Sequence, residues 1–226
     1  MTQQEKEEKE FIQELNVFRN EVNSALKFLY TELAIHEIAS KNKKILKALN
    51  SSPTFWNTVL SALQHSTFLT LGRIFDTSPE KHTIHKLFRI VESNKNFFTK
   101  DSFKNRWIRN EDKAKINDHL PQYLKTVYVP NDGDFREFKK FIATQNKIYL
   151  KLYAPIRHQF GHKIYDKSEE VKVLFDKVQV KDLEKFCVRL SGIHEALWQL
   201  YNNGRGPLLP IAQGRYSTRN NTKRTC

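Results

Sequence analysis

Residues 154–166 read Ala-Pro-Ile-Arg-His-Gln-Phe-Gly-His-Lys-Ile-Tyr-Asp, which sets one permanent cation and two imidazoles, Arg157, His158 and His162, close together in the chain. An arginine keeps its charge at any cellular pH and can grip a phosphate through two parallel hydrogen bonds. A histidine titrates near neutrality, so it can take and return a proton. Attack of a ribose 2′-OH on the neighbouring phosphate asks for those two services, and this pairing offers them without a metal.

The spacing Arg-x4-His occurs a second time, at Arg189 and His194. There Leu190, Ile193 and Leu197 form an apolar stripe that both residues flank, as ordinary surface or boundary residues of a packed helix do. Arg157 has a different setting. Pro155 precedes it, His158 follows at once, and Gly161 lies inside the pattern, so a kink or local irregularity is expected. Five residues separate Arg157 from His162, about 140° around a straight helix. Either the backbone bends at this point, or the pair lines a groove that a second copy of the chain completes.

This segment resembles the Arg-x4–6-His signature of the HEPN superfamily of helical nucleotide-binding domains, and His158 fits the polar residue often found after the arginine. Phe-Trp-Asn-Thr-Val-Leu-Ser-Ala-Leu-Gln-His-Ser-Thr-Phe-Leu-Thr-Leu-Gly-Arg-Ile-Phe-Asp at 55–76 and Thr-Ile-His-Lys-Leu-Phe at 83–88 look like its abortive-infection AbiU branch. The resemblance covers most of residues 10–202. It implies a metal-independent endoribonuclease of a defence or toxin–antitoxin system, a homodimer with a composite active site, RNA as substrate, and an antitoxin or other defence protein as a possible partner. Arg157 and His162 would be catalytic. His158, Arg73, Asp76, Lys163 and Tyr165 would support the site or bind substrate, Arg73 and Asp76 by orienting the pair. A solvated Arg73–Asp76 ion pair is the plainer reading of those two. In some relatives an antitoxin modifies a tyrosine two residues after the motif histidine. Tyr165 stands three after His162, a departure from that pattern. A non-catalytic nucleotide- or RNA-binding module of the same fold, and a helical protein-interaction protein, are the alternatives.

The net charge of +13 and pI near 9.6 fit a polyanionic partner, because clustered Lys and Arg gain affinity by releasing counterions from a phosphate backbone. A basic surface with no specific ligand is the bland alternative. No run approaches the roughly 20 apolar residues of a membrane span, and the charged start carries no apolar signal region, so a cytoplasmic protein without a membrane partner is expected. The two cysteines, Cys187 and the terminal Cys226, are too few for a thiolate zinc site. No cofactor or metal is expected.

Seven glycines and seven prolines in 226 residues favour long helices over a turn-rich sheet protein. A first helix is expected over 5–48, with Phe11, Leu15, Phe18, Val22, Ala25, Leu29 and Leu33 as its seam. Ser52 and Pro53 should start a second, which carries Trp56, Leu60, Leu63, Thr67, Leu71 and Ile74 inward. Thr83 caps a short one. Asp134 caps the third long helix, whose stripe of Phe138, Phe141, Ile142, Gln145, Ile148, Leu152 and Ile156 delivers Arg157 at its end. A last helix covers about 180–202, and Gly204 stops it. Residues 171–178 read as a turn or strand-like connector. These elements predict an all-α, antiparallel four-helix bundle, a single domain over 1–204 with an irregular helical insertion at about 96–133. The basic tail, 205–226, is expected to be flexible. In the insertion, aromatic rings interleave with cations, a composition that can stack bases or simply pack a core.

Overall fold

The structure is a computed structural model that describes residues 2–78, 80–110, 113–162 and 179–207, with side chains except at 110, 113–119 and 160–162. The described residues are almost entirely helical, with no strand among them, and the fold is all-α. In chain order the helices are α1 (Gln3–Lys41), α2 (Lys43–Asn50), α3 (Pro53–Ile74), α4 (Ile84–Ser93), α5 (Lys100–Asn110), α6 (Lys113–Thr126), α7 (Asp132–Ile148), α8 (Ala154–His162) and α9 (Val180–Asn203). A 3-10 turn, Lys95–Phe98, precedes α5, and a π-helical turn, Tyr149–Tyr153, joins α7 to α8.

The described parts of residues 1–19, 77–144 and 191–212 form one compact unit, and those of 20–76, 145–190 and 213–226 form another. Helices α1, α7 and α9 each contribute residues to both.

The first unit is centred on Phe11 of α1, whose ring meets Phe97 at 6.0 Å and Tyr201 at 5.0 Å between centroids. Phe97, Phe98, Phe103 and Leu120 of the expected insertion are buried, so these residues help to build this core rather than cover it. Thr83 caps α4 as its position predicts, its hydroxyl accepting from the Lys86 amide at 3.1 Å. Gly204 ends α9 with φ 55°, a left-handed conformation that costs glycine nothing. Its carbonyl accepts from the Tyr128 amide at 2.7 Å.

The second unit gathers Val22, Ala25, Leu26 and Leu29 of α1, Phe68, Leu71 and Ile74 of α3, and Leu183, Phe186 and Leu190 of α9 as buried apolar residues. Phe186 touches both Phe75, at 5.7 Å, and Tyr153, at 4.9 Å.

Three local expectations are corrected. The first helix breaks at Asn42, because its side chain caps α2 by accepting from the amides of Lys44 and Ile45. Asn131, not Asp134, is the cap of α7. The Asn131 side chain accepts from the amides of Gly133 and Asp134, while the Asp134 carboxylate accepts from the Asn131 amide at 2.7 Å. That reciprocal pair is a capping box, with Asp134 at its third helical position. Finally, the stripe of the third long helix changes register. Phe138, Ile142 and Gln145 are buried, but then Tyr149 and Tyr153 are, in place of Ile148 and Leu152, before the stripe is met again at the buried Ile156.

Candidate active site around Arg157

The register change begins with Pro155, which has no amide hydrogen and whose ring would strike the Lys151 carbonyl in a regular α-helix. A wider turn relieves that clash. The Ala154 amide donates to the Tyr149 carbonyl, five residues back, and Tyr149–Tyr153 becomes a π turn. The expected irregularity is therefore present, but it lies ahead of Arg157. From Ala154 to His162 the backbone is helical, so Arg157 and His162 stay on one helix, about 140° apart around it.

Tyr149, Tyr153 and Arg157 are spaced by four and share a helix face. The wide turn presents that face to α3. Tyr149 is 4% exposed, and its ring stacks on Phe75 at 4.7 Å with 11° between the planes. Arg157 is half-buried and donates a hydrogen bond to the Tyr149 hydroxyl. Burial pushes the Tyr149 pKa up; the Arg157 cation and its hydrogen bond pull it back, and the Asp76 carboxylate adds to the rise. The phenol stays protonated at neutral pH and can hold the guanidinium in place. A hydrogen bond from a charged donor of this kind contributes about 1.5–3 kcal/mol.

On its other side the arginine lies across α3 at Gly72. A Cβ added there would sit 2.6 Å from Arg157 Cδ and 3.1 Å from Cζ, and would collide with Nε. Only glycine leaves this path open. Gly72 is buried, in the last turn of α3, directly before Arg73 and four residues before Asp76.

The sequence-predicted residues divide as follows. Arg157 donates to the Tyr149 hydroxyl, whereas the Asp76 carboxylate acts on that group only through its charge. Arg73 points elsewhere: its guanidinium pairs with Glu21, at 2.8 Å from Nη2 and 3.0 Å from Nε, and donates to Thr70 Oγ1 at 3.0 Å. The ion pair it makes is thus with a residue 52 positions away, not the local one with Asp76. His158 is exposed, next to Arg157 on α8. The backbone of His162 lies in α8, whereas its side chain, with Lys163 and Tyr165, lies outside the described residues. So do 171–178 and the tail from 208.

The second Arg-x4-His copy has a different character. Arg189 is exposed, and His194 is buried at 7% exposure, its Nε2 without a hydrogen-bond partner. Burial, aided by the Arg19 cation and opposed by Glu195, depresses the His194 pKa to about 4, so this imidazole is neutral at physiological pH. Cys187 is fully buried and its thiol is pushed up to about 12, which makes it inert.

Sequence reasoning missed Gly72 and Tyr149 as the residues that shape the arginine's seat. Signals for them exist: a lone glycine inside the helical pattern of 55–76, and a tyrosine eight residues before the arginine. Among the described residues no trio of His, Cys, Asp and Glu side chains gathers as a metal-binding group. Nor, among them, is any helix long and apolar enough to cross a membrane.

A family model described as AbiU2 (HEPN_AbiU2) matches residues 8–217, nearly the whole chain and both motif-bearing stretches. No curated protein and no solved structure matches it. The matched span, the all-α fold and the Arg157 segment agree, and the chain belongs to the AbiU2 family of HEPN domains, related to abortive infection.

Proposed function

We propose that this chain is a metal-independent endoribonuclease of a defence or toxin–antitoxin system, with Arg157 and His162 as its catalytic pair. The observation that carries the proposal is the seating of Arg157: a half-buried guanidinium threaded over Gly72 and anchored on the buried Tyr149 hydroxyl. An arginine fixed in this way meets a developing phosphorane charge without reorganising, which is where preorganised electrostatics lower a barrier most. His162 takes the proton of the ribose 2′-OH or returns one to the departing 5′-oxygen. The P–O bond to the 2′-oxygen forms as the bond to the 5′-oxygen breaks, leaving a 2′,3′-cyclic phosphate and a 5′-hydroxyl. Asp76 helps to orient the arginine through Tyr149. His158 and Lys163 hold substrate, and Tyr165 borders the same segment.

The helical path from Ala154 to His162 supports a site completed by a second chain. Two groups about 140° apart on one helix reach one phosphate most readily when a symmetry mate supplies the missing half. The working unit is accordingly a cytoplasmic homodimer, with an antitoxin or defence protein as regulator and RNA as substrate.

Incubation of the purified protein with end-labelled RNA in excess EDTA tests this reading. Multiple turnovers with 2′,3′-cyclic phosphate ends are expected. RNA retained on the protein but never cut would make this a binding module and end the nuclease assignment.

A further inference from the structure

The first unit contains a cleft of about 560 Å³ to which the proposed cleavage assigns no role. Its size falls within the range of small-ligand sites. One wall is aromatic. Phe103 and Tyr123 stack with centroids 5.5 Å apart, and Trp107 meets Tyr123 edge to face at 4.8 Å. Trp107 and Tyr123 are only half-buried, so both reach the opening.

The remaining lining is charged. Arg106 is 7% exposed, with Nη1 donating to the Phe97 carbonyl at 2.7 Å and Nη2 to the Tyr201 carbonyl at 2.9 Å. Its Nε is buried with no hydrogen-bond partner. Arg109 donates to Glu8 at 2.7 Å, and Lys9 stands exposed at the rim without an ion-pair partner among the described residues. Three cations thus face two carboxylates, Glu5 and Glu8, and both carboxylates are already engaged by the arginines. What is left over is positive charge beside an aromatic wall.

That combination selects a ligand with a planar ring and an anionic group. A quaternary ammonium or a lysine side chain would suit the rings but be repelled by Arg106, Arg109 and Lys9. A bare phosphate would leave the aromatic wall unused. The geometry points to a second nucleic-acid site, a cleft that takes one nucleoside phosphate, with the base stacked on Trp107 and the phosphate toward Lys9 and Arg109. This assignment goes beyond the cleavage proposed above and does not depend on it. The nucleoside phosphate comes either from a free nucleotide or from one unstacked residue of an RNA strand, since both present the same base and phosphate.

The test is equilibrium dialysis on the full-length Arg157→Ala protein, which keeps RNA intact, with adenosine 5′-monophosphate, adenosine, ribose 5-phosphate and 5′-phosphorylated pentaadenylate as probes. The monophosphate or the pentanucleotide is retained, and adenosine and ribose 5-phosphate each bind at least about 10-fold more weakly. Retention of the pentanucleotide well above the monophosphate, lost with Trp107→Ala or Lys9→Glu, identifies an RNA strand as the source; equal or weaker retention in the cleft identifies a free nucleotide. Trp107→Ala weakens binding about 5- to 100-fold, the range expected for losing one stacked base. Lys9→Glu, an exposed change that leaves the fold intact, also weakens it and decides the matter if Trp107→Ala fails to fold. The inference is overturned if neither phosphate probe is retained, if adenosine or ribose 5-phosphate binds as tightly as the monophosphate, or if either folded variant binds like the parent. Because the parent already lacks Arg157, these outcomes are independent of whether the protein cleaves RNA.

Discussion

Replacing Gly72 by alanine separates the seating of Arg157 from the stability of the fold. The new Cβ would lie 2.6 Å from Arg157 Cδ, against ordinary carbon–carbon contact at about 3.5–4.0 Å. The arginine must therefore shift by about 1 Å, and its hydrogen bond to Tyr149 is strained or lost. Loss of that bond costs about 1.5–3 kcal/mol. Alanine in a helix interior gains about 0.5–1 kcal/mol over glycine, and the displaced side chain is only half-buried, so it recovers contacts with water. The net change in folding free energy should then stay within about 2 kcal/mol, compatible with a folded protein. Catalysis has no such compensation, since a misplacement of about 1 Å commonly costs about 10²-fold in rate. Single-turnover cleavage of labelled RNA, run beside a thermal melt, reads both quantities. A Gly72→Ala protein that melts cooperatively and cleaves about 10²-fold more slowly is expected. Wild-type cleavage by that variant would refute the seating of Arg157 over α3 as the active arrangement.

Further consequences concern the same helix and the rest of the chain. Tyr149→Phe keeps the stack on Phe75 but removes the hydroxyl that receives Arg157, so cleavage should fall about 10-fold while folding stability falls by about 1.5–3 kcal/mol; a rate loss with no change in pH profile marks a positioning role. Mixing inactive Arg157→Ala and His162→Ala proteins should restore part of the activity if two chains share one site, and activity no higher than either parent's would argue for self-contained protomers. His194 gives a pH signature of stability. Its folded pKa, about 4, lies below the ordinary 6.5, so its contribution is present above pH 6.5 and is lost as pH falls toward 4. Burial of the neutral ring then accounts for as much as about 3 kcal/mol across that window. Denaturant melts should show it, and His194→Gln should flatten the slope there.

The helical architecture was legible because periodicity and punctuation agreed at several points. Thr83 before an apolar run, Pro53 at the start of α3 and Gly204 after α9 each act within a turn of where they stand, and local chemistry decides such positions. Asn131 and Asp134 illustrate the limit. Both can cap, and only the reciprocal hydrogen bonding fixes which residue is the cap and which closes the box. The apolar stripe of the third long helix failed after Gln145 for a definite reason. A π turn inserts one residue's worth of rotation, so a 3.6-residue count selects Ile148 and Leu152 where the chain buries Tyr149 and Tyr153. Pro155 signalled the irregularity but not its sense. The Arg157 motif could be found from residue types alone. The neighbours that hold it, Gly72 and Tyr149, come from separate helices, and no local pattern pairs them. Arg73 shows the same thing in reverse, since nothing within a helical turn announces a partner at Glu21.

The central claim is that Arg157 and His162 act together on one RNA linkage, and the rates of the two single variants test it most directly. In EDTA, with RNA saturating and each protein shown to be folded, His162→Ala and Arg157→Ala should each cut at least about 10²-fold more slowly than the parent, without 2′,3′-cyclic phosphate products above background. Either variant cleaving within a factor of about two of the parent would contradict the account.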